Sequence, residues 1–370
     1  MKDLSLASVE DLSIFLKQVK SNKILVISGK NSFKNSGANN KFLHLFSNKE
    51  TVYYFKKSSN PNHLELQEII NQIKLFSPDL IIAIGGGSVL DYAKVANTLY
   101  DTENLRDGII NSTYNIKKKF AKLIAIPTTA GSGAEVTSNA VIYIDKIKYS
   151  VEGDDLKPDL FFLIPEFVIK GSHKIKASAG FDAIAQAFES LISIKSNEKS
   201  KMFAVKSLKL SLKFYLDFLK SPNNDNTFAM SLAANLSGKA INISKTTAPH
   251  AVSYPFTAIY NISHGHAVSL TLNKFLRFNF LKYKNANCNF DINERYKLMF
   301  NLTNTNNINS FDNFLKNLRS NANLEYDFKK LGIDIIQDYS KIISGVNILR
   351  LKNNPIKLEK NEIKDIIINE

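Results

Sequence analysis

A single cysteine, Cys288, stands in the 370 residues. One thiol cannot build an intramolecular disulfide framework, which excludes the small stapled secreted scaffolds and fits a reducing compartment. Long apolar runs are equally scarce. The longest, Leu160 to Ile169, contains Pro165 and Glu166 and is too short to span a bilayer. The opening stretch, Met1 to Asp11, carries acids where a secretory leader needs an unbroken apolar core. The expected location is therefore the cytoplasm, with no membrane contact. Internal repeats are absent, and so is a concentrated basic arm. The formal charge is +14, but the lysines are scattered among Asn, Ile and Phe, which argues against nucleic acid as the principal partner. Such a surface would still attract an anionic substrate or cofactor.

What is present is length, apolar content and punctuation. At 370 residues and 44% hydrophobic, the chain exceeds what one core normally organises, and two domains are expected, 1–165 and 166–370. In the first, Lys23-Ile-Leu-Val-Ile-Ser, Thr51-Val-Tyr-Tyr-Phe, Asp79-Leu-Ile-Ile-Ala-Ile-Gly and Lys122-Leu-Ile-Ala-Ile-Pro read as strands, and Leu66 to Phe76 has helical spacing. This cadence predicts a parallel sheet covered by helices on both faces. After Pro165 the segments Lys201 to Lys220 and Phe228 to Ile243 are long and helix-periodic, so the second half is expected to be all-helical. The Asn-rich stretch Asn301 to Asn309 reads as a loop or helix junction.

Two segments could hold a nucleotide. Gly85-Gly-Gly-Ser-Val-Leu-Asp-Tyr-Ala-Lys follows a predicted strand and opens a predicted helix. Glycines let a phosphate approach the backbone, and a helix N-terminus offers free N–H groups and partial positive charge. The pattern is not the G-x-G-x-x-G fingerprint, and a tight turn with purely steric glycines is the alternative. Pro127-Thr-Thr-Ala-Gly-Ser-Gly-Ala-Glu-Val-Thr-Ser is dense in hydroxyls and small residues, as a nucleotide-lining loop or an ordinary Ser/Thr-rich turn would be.

A third constellation has metal-ligand character. Asp182 and Gln186, at i and i+4, share one helix face, and His250 and His264 follow, fourteen residues apart. Three of the six histidines, His250, His264 and His266, crowd into this short region. A polar helix face with structural histidines is the competing reading.

Together these segments resemble the iron-containing (group III) alcohol dehydrogenase family, related to glycerol dehydrogenase and dehydroquinate synthase. The resemblance runs from the strand at Lys23 through Asn60-Pro61, Gly85 to Lys94, Pro127 to Thr137, the Asp182 helix and the histidine pair to Asn354-Pro355 before a last helix. It implies a Rossmann-like α/β dinucleotide-binding domain, an all-α metal-binding domain and catalysis in the cleft between them, in a homodimer. Carried over, Gly86, Gly87 and Ser88 bind pyrophosphate and Asp91 supports that turn. Thr128, Thr129 and Ser132 line the nicotinamide end, with Lys148 nearby, and Asp182, His250 and His264 are metal ligands for Fe2+ or Zn2+.

Three departures qualify the pattern. Gln186 stands where the typical member has its first histidine ligand; its carbonyl can ligate, but it is neutral and weaker than imidazole. Either a metal is retained by Asp182, Gln186, His250 and His264, or the carbonyl is polarised without one; the carboxylate and two histidines already form a facial triad, which favours retention. Lys30 falls where many members carry an aspartate for the adenosine ribose, which tilts the cofactor from NADH toward NADPH unless Lys30 is only a solvent-exposed turn residue. Ile164, before Pro165, replaces an aspartate common in the family.

The run Lys245 to Thr257, continuing from Ile262 to Thr271, looks most like the phosphonoacetaldehyde reductase (hydroxyethylphosphonate dehydrogenase) branch. The resemblance implies reduction of a small anionic aldehyde, phosphonoacetaldehyde, to its primary alcohol. Lys245, Thr246, Thr247 and Arg277 are the candidate phosphonate donors, with surface lysine and cap threonines as the alternative. His266 or Tyr254 is expected to relay the proton, Tyr254 provided its pKa is lowered. Rival readings are another small aldehyde or semialdehyde, a lyase resembling dehydroquinate synthase, and a degenerate nucleotide-binding protein without catalysis.

Overall fold

The apolar runs at Lys23, Leu80 and Lys122 form parallel strands buried on both faces, while the run at Thr51 forms a partly exposed edge strand beside them. The computed structural model describes residues 8–368 apart from 47, 117 and 146. In it β1 is Lys23–Gly29, β2 Glu50–Lys56, β3 Leu80–Gly85 and β4 Lys122–Pro127. Sequence reading did not anticipate the antiparallel hairpin of β5, Asn139–Ile144, and β6, Ile147–Glu152, nor the short β7, Leu160–Phe161, within the longest apolar stretch. The main sheet runs β2-β1-β3-β4-β7 with every neighbour parallel.

Alternate strand residues feed two cores, as the pleat requires. Leu25, Ile27, Ile81, Ala83, Leu123 and Ala125 pack with residues of helices His63–Phe76 and Gly87–Thr98. Ile24, Val26, Leu80, Ile82, Ile124 and Ile126 face the other way, against Leu12, Leu16, Phe33, Phe42 and Phe167. Ile164 is fully buried in this second core, so its side chain is structural. Each such buried aliphatic contributes about 1.5–3 kcal/mol, which makes the two covered faces the principal support of the sheet.

Counted along the chain, the main sheet has the order second, first, third, fourth, fifth. That is a doubly wound topology whose strand order reverses between β1 and β3. In such sheets ligands bind beyond the carboxyl ends of the strands at the reversal. Here those ends are Gly29 and Gly85.

By packing, the chain divides into two units, Met1–Ser172 with Pro222–Asn235, and His173–Ser221 with Leu236–Glu370. All the strands lie in the first; among its described residues the second contains helices but no strand. Helix Asn224–Ser244 contributes residues to both. Within the second unit, Ala251, Val252, Phe256, Leu270, Phe275, Ile342 and Ile363 belong to one core. The Asn-rich stretch is a helix junction: Asn304 ends helix Ile292–Thr303 in the left-handed region, and the Asn307 side chain caps helix Ile308–Asn321. Among the described residues, no helix is long and apolar enough to cross a membrane.

A candidate nucleotide cradle and a candidate metal cluster

In the first unit the glycine turn and the hydroxyl loop lie side by side because β3 and β4 are paired to their ends, Gly85 opposite Pro127, and the Thr128 amide donates to the Gly85 carbonyl at 3.0 Å. Helix Gly87–Thr98 starts at Gly86 with no side-chain cap. The Val89 and Leu90 amides turn back onto the Gly86 carbonyl, which leaves the N–H groups of Gly87 and Ser88 at the open end of the helix. A Cβ on Gly87 would come within 2.7 Å of Ser132 Oγ, and one on Gly86 within 3.4 Å of Thr129 Oγ1. The structure thus brings Gly86, Gly87, Thr129 and Ser132 together, placing amides and hydroxyls side by side at the start of the helix, a donor set suited to a phosphate.

Deeper in that unit, fully buried Lys94 ties the hydroxyl loop to the helix. Its ammonium donates to the Ala134 carbonyl and Thr137 Oγ1, each at 3.0 Å. Asp91, one turn earlier, accepts from the Val141 amide at 3.1 Å and so braces β5. Burial pushes the Asp91 carboxyl up to about 6, against the opposing pull of Lys94, the Val141 amide and Lys148. Lys148 is therefore close enough to Asp91 to be felt. Lys30 is exposed at the start of helix Lys30–Asn35, directly after the end of β1.

In the second unit helix His173–Ile192 is buried almost all round beyond its first turn, and Asp182, Gln186 and Glu189 mark a polar stripe along it. Helix His264–Ser269 crosses it in contact. A Cβ on Gly265 would sit 2.0 Å from the Ser178 carbonyl oxygen and 2.7 Å from Asp182 Cβ, so only glycine permits the approach. The His266 amide donates to Ser178 Oγ at 3.1 Å and fixes the register.

This contact gathers three donors. One ligand atom from each of Asp182, His250 and His264 lies within 4.8 Å of the other two. His250 Nε2 is 3.1 Å and His264 Nε2 4.0 Å from Asp182 Oδ1. Glu189, fully buried, holds the other side of His250: its carboxylate takes the Nδ1 proton, the His250 amide at 3.3 Å, and the amide and hydroxyl of Thr247 at 2.9 and 3.0 Å. A carboxylate on Nδ1 leaves Nε2 as the ligand atom, which is the second-sphere arrangement that orients metal-bound histidines. Burial disfavours the imidazolium, yet Glu189 and Asp182 raise its pKa to about 9. The pocket therefore demands positive charge between two carboxylates, and a divalent cation fits that demand as well as a proton does.

Gln186, the expected fourth ligand, lies beside the cluster and is hydrogen-bonded on both sides. Its amide nitrogen donates to Asp182 Oδ2 at 3.2 Å, and its carbonyl accepts from Ser237 Oγ at 3.0 Å. A carboxylate can only accept, so the amide nitrogen must face Asp182. These two bonds fix the orientation of the Gln186 amide against Asp182.

The other expected site residues scatter. Tyr254 lies against the cluster, its ring 5.7 Å from that of His264. Burial raises its pKa, with Arg350 pulling the other way, so the lowered value expected for a proton relay is not found. His266 is turned away: two residues along a helix rotate a side chain by about 200°, and its Nε2 meets the Glu325 carbonyl at 2.6 Å. Arg277 is also distant in role, bonded to Asn309 on an exposed face. Thr247 is committed to Glu189, and the Thr246 carbonyl accepts from Asn353 at 3.1 Å. Lys245 adopts the left-handed backbone that ends helix Asn224–Ser244. Glu189 and Arg350 went unnoticed in the sequence, although Glu189 continues the stripe of Asp182 and Gln186 at i+7.

Comparison with known proteins decides the family. The model for "Iron-containing alcohol dehydrogenase" matches residues 6–165, and that for "Fe-containing alcohol dehydrogenase family, C-terminal" matches 176–370. The chain belongs to the iron-containing alcohol dehydrogenase family. It is thereby an oxidoreductase by kinship. This dehydrogenase is similar to the phosphonoacetaldehyde reductase of Streptomyces viridochromogenes, 32% identical over 221 residues that span 57% of this chain and 56% of that one. It is similar also to the 4-hydroxybutyrate dehydrogenase of Clostridium kluyveri, 28% identical over 84% of this chain and 85% of that one. Its fold matches that of sulfoacetaldehyde reductase from Bifidobacterium kashiwanohense, solved in complex with NAD+, with a TM-score of 0.86, 23% identity, and coverage of 98% and 94%.

Proposed function

We propose that this dehydrogenase reduces phosphonoacetaldehyde to 2-hydroxyethylphosphonate with hydride from NADPH or NADH. The observation that carries the reading is the Asp182, His250 and His264 cluster with its Glu189 support. A divalent cation such as Fe2+ or Zn2+ held there supplies Lewis acidity toward a carbonyl oxygen. The rest is done by the chain. Glu189 fixes the His250 tautomer, Gln186 aims Asp182, and Gly265 lets His264 reach them. Tyr254, kept protonated by burial, offers a hydroxyl at the rim of the cluster.

The nucleotide reading rests on the sheet reversal between β1 and β3, with the uncapped Gly87 helix and the Thr129 and Ser132 hydroxyls at the carboxyl end of β3. Lys30, at the carboxyl end of β1, supports a preference for NADPH, since a cation there would receive a 2′-phosphate.

The acid group in the substrate is supported by the relatives' names. Phosphonoacetaldehyde, 4-hydroxybutyrate and sulfoacetaldehyde each carry a strong anion at the end remote from the reacting carbon. Other relatives act on propanol or long-chain alcohols, so simple aldehydes are the second reading. The test follows NADPH and NADH oxidation with phosphonoacetaldehyde, succinic semialdehyde and propanal, before and after chelation and reloading with Fe2+ or Zn2+. Turnover of phosphonoacetaldehyde lost on chelation is expected. Nucleotide binding without turnover of any aldehyde would overturn the reading.

A further inference from the structure

In the first unit the carboxyl ends of β3, β1 and β2 lie in one row. Ser28 of β1 stands opposite Ile84 of β3, and Gly29 opposite Lys56 of β2. Parallel strands run about 4.8 Å apart, so Lys56 is about 10 Å along the row from the glycine turn at Gly85. Lys56 closes β2 and leans on Gly29: a Cβ on that glycine would sit 3.7 Å from Lys56 Cε, 3.9 Å from its Cγ and 2.8 Å from Ser32 Oγ. The ammonium reaches past the strand end and donates to the Ser58 and Ser59 carbonyls at 2.7 and 3.0 Å. That turn is itself braced. Buried Glu65 accepts from the Lys57 and Ser58 amides and, at 2.8 Å, from the hydroxyl of Tyr92, which belongs to the helix that opens at the glycine turn. Lys56 is therefore a fixed, half-buried cation. Two of its three N–H groups go to carbonyls, and among the described residues no carboxylate pairs with it. Burial holds its pKa below the ordinary lysine value, against the pull of Glu65.

We propose that Lys56 is the residue that fixes the choice of NADPH, its ammonium receiving the 2′-phosphate of an adenosine ribose laid over Gly29. This deepens the nucleotide reading above and rests on it. In doubly wound sheets the ribose next to the pyrophosphate is read at the end of the strand beside the one that carries the glycine turn, here β1. Gly29 ends that strand without a side chain, which leaves the space a ribose needs. Lys56 comes from the following strand, yet its stem lies against Gly29, so its charge serves the same position. The neighbouring cations are less suited. Lys30 is exposed in the first turn of its helix and adds charge from the solvent side, while Lys57 is paired with Glu68. A phosphate gains more from a cation already held and partly out of water than from one that must be ordered on binding.

The experiment compares 2′,5′-ADP with 5′-AMP, two halves of the cofactor that differ only in the 2′-phosphate. Dissociation constants are measured by calorimetry for the wild type, Lys56→Gln, Lys56→Arg and Lys30→Gln, with melting temperatures in parallel. The wild type should bind 2′,5′-ADP about ten-fold or more tightly than 5′-AMP. Lys56→Gln should bring the two within about two-fold while 5′-AMP still binds, Lys56→Arg should keep most of the preference, and Lys30→Gln should lower it by about three-fold at most. A preference unmoved in Lys56→Gln, or reduced more in Lys30→Gln, overturns the assignment. Equal affinity of the wild type for both fragments also overturns it, and leaves the reductase reading standing with NADH. A wild type that binds neither fragment overturns the nucleotide reading and the assignment with it. Should the Lys56 variants fail to fold, reductive methylation of the wild type read by mass spectrometry decides. Protection of Lys56 by 2′,5′-ADP and not by 5′-AMP supports the contact, and equal modification in both rejects it.

Discussion

Replacing Gln186 with Leu keeps the buried volume and deletes two hydrogen bonds, the one to Asp182 Oδ2 and the one from Ser237. A bond to a charged acceptor is worth about 1.5–3 kcal/mol, and outer-sphere partners of metal ligands typically matter 10–100-fold in affinity. With free Zn2+ at about 100 times the wild-type Kd, binding stabilises the fold by about 2.7 kcal/mol; a 100-fold weaker site at the same concentration supplies about 0.4 kcal/mol. For a unit of this size, the difference is a fall of about 5–9 °C in the metal-dependent part of the melting temperature. The assay is calorimetric titration of chelator-stripped protein with Zn2+, with thermal melts at fixed free metal. Gln186→His should act the other way, adding an imidazole to the donor set and tightening binding about ten-fold or more. Unchanged affinity in Gln186→Leu would refute the brace. A Co2+-loaded protein adds a second check: if the visible spectrum of Gln186→Leu shows one ligand fewer, Gln186 coordinates directly and the reasoning fails.

Three further outcomes follow from other contacts. Gly265→Ala should force helix His264–Ser269 off the Asp182 helix, because its Cβ would meet the Ser178 carbonyl at 2.0 Å; we expect a loss of at least about 1–3 kcal/mol in chemical denaturation and no high-affinity metal binding. Asp91 has its folded pKa raised from 3.8 to about 6, so its contribution is favourable below about pH 4 and is lost as pH rises through 6, a span of at most about 3 kcal/mol. Asp91→Asn, whose carbonyl still accepts from Val141, should remove that pH dependence from denaturation curves; an unaltered slope between pH 4 and 7 would contradict the assignment. Lys30→Asp should turn cofactor preference from NADPH toward NADH by about ten-fold in KM, and an unmoved ratio of the two would place the adenosine end elsewhere.

The strands of the main sheet were legible because a parallel strand buried on both faces leaves an uninterrupted aliphatic run, and Gly29 and Gly85 mark where those runs stop. The β5 and β6 hairpin was missed because its faces are only half buried: Asn139–Ile144 alternates buried and intermediate residues, and the turn at Asp145 lacks the Asn-Gly signature that usually betrays a hairpin. β7 was hidden because two residues carry no periodicity. At the site, Asp182, His250 and His264 were readable from type and spacing. For His266 the chemistry was legible but the direction was not, because the turn of the helix points its Nε2 at the Glu325 carbonyl. The direction of Arg277 was likewise not legible, since its place along helix Leu272–Leu281 turns it toward Asn309.

Glu189 shows why a ligand list is the wrong unit to seek in a sequence. In a helix whose residues from Lys176 to Ile192 are nearly all buried, a carboxylate without a partner would cost several kcal/mol. Asp182, Gln186 and Glu189 fall at i, i+4 and i+7, one stripe on an apolar cylinder, and such a stripe survives only if each member is answered. Asp182 is answered by His250 and by Gln186, Gln186 by Ser237, and Glu189 by Thr247 and His250. Two carboxylates remain on either side of a single imidazole. Even with that imidazole protonated, the group carries one net negative charge, since two acids face one cation. A divalent cation at the Asp182, His250 and His264 donors restores the balance while His250 keeps its proton on the Glu189 side. Replacing the usual histidine ligand by Gln186 leaves that charge count unchanged, because both are neutral when they face a metal. The substitution that looked like the loss of a metal site therefore removes one donor and preserves the electrostatic reason for a metal to bind.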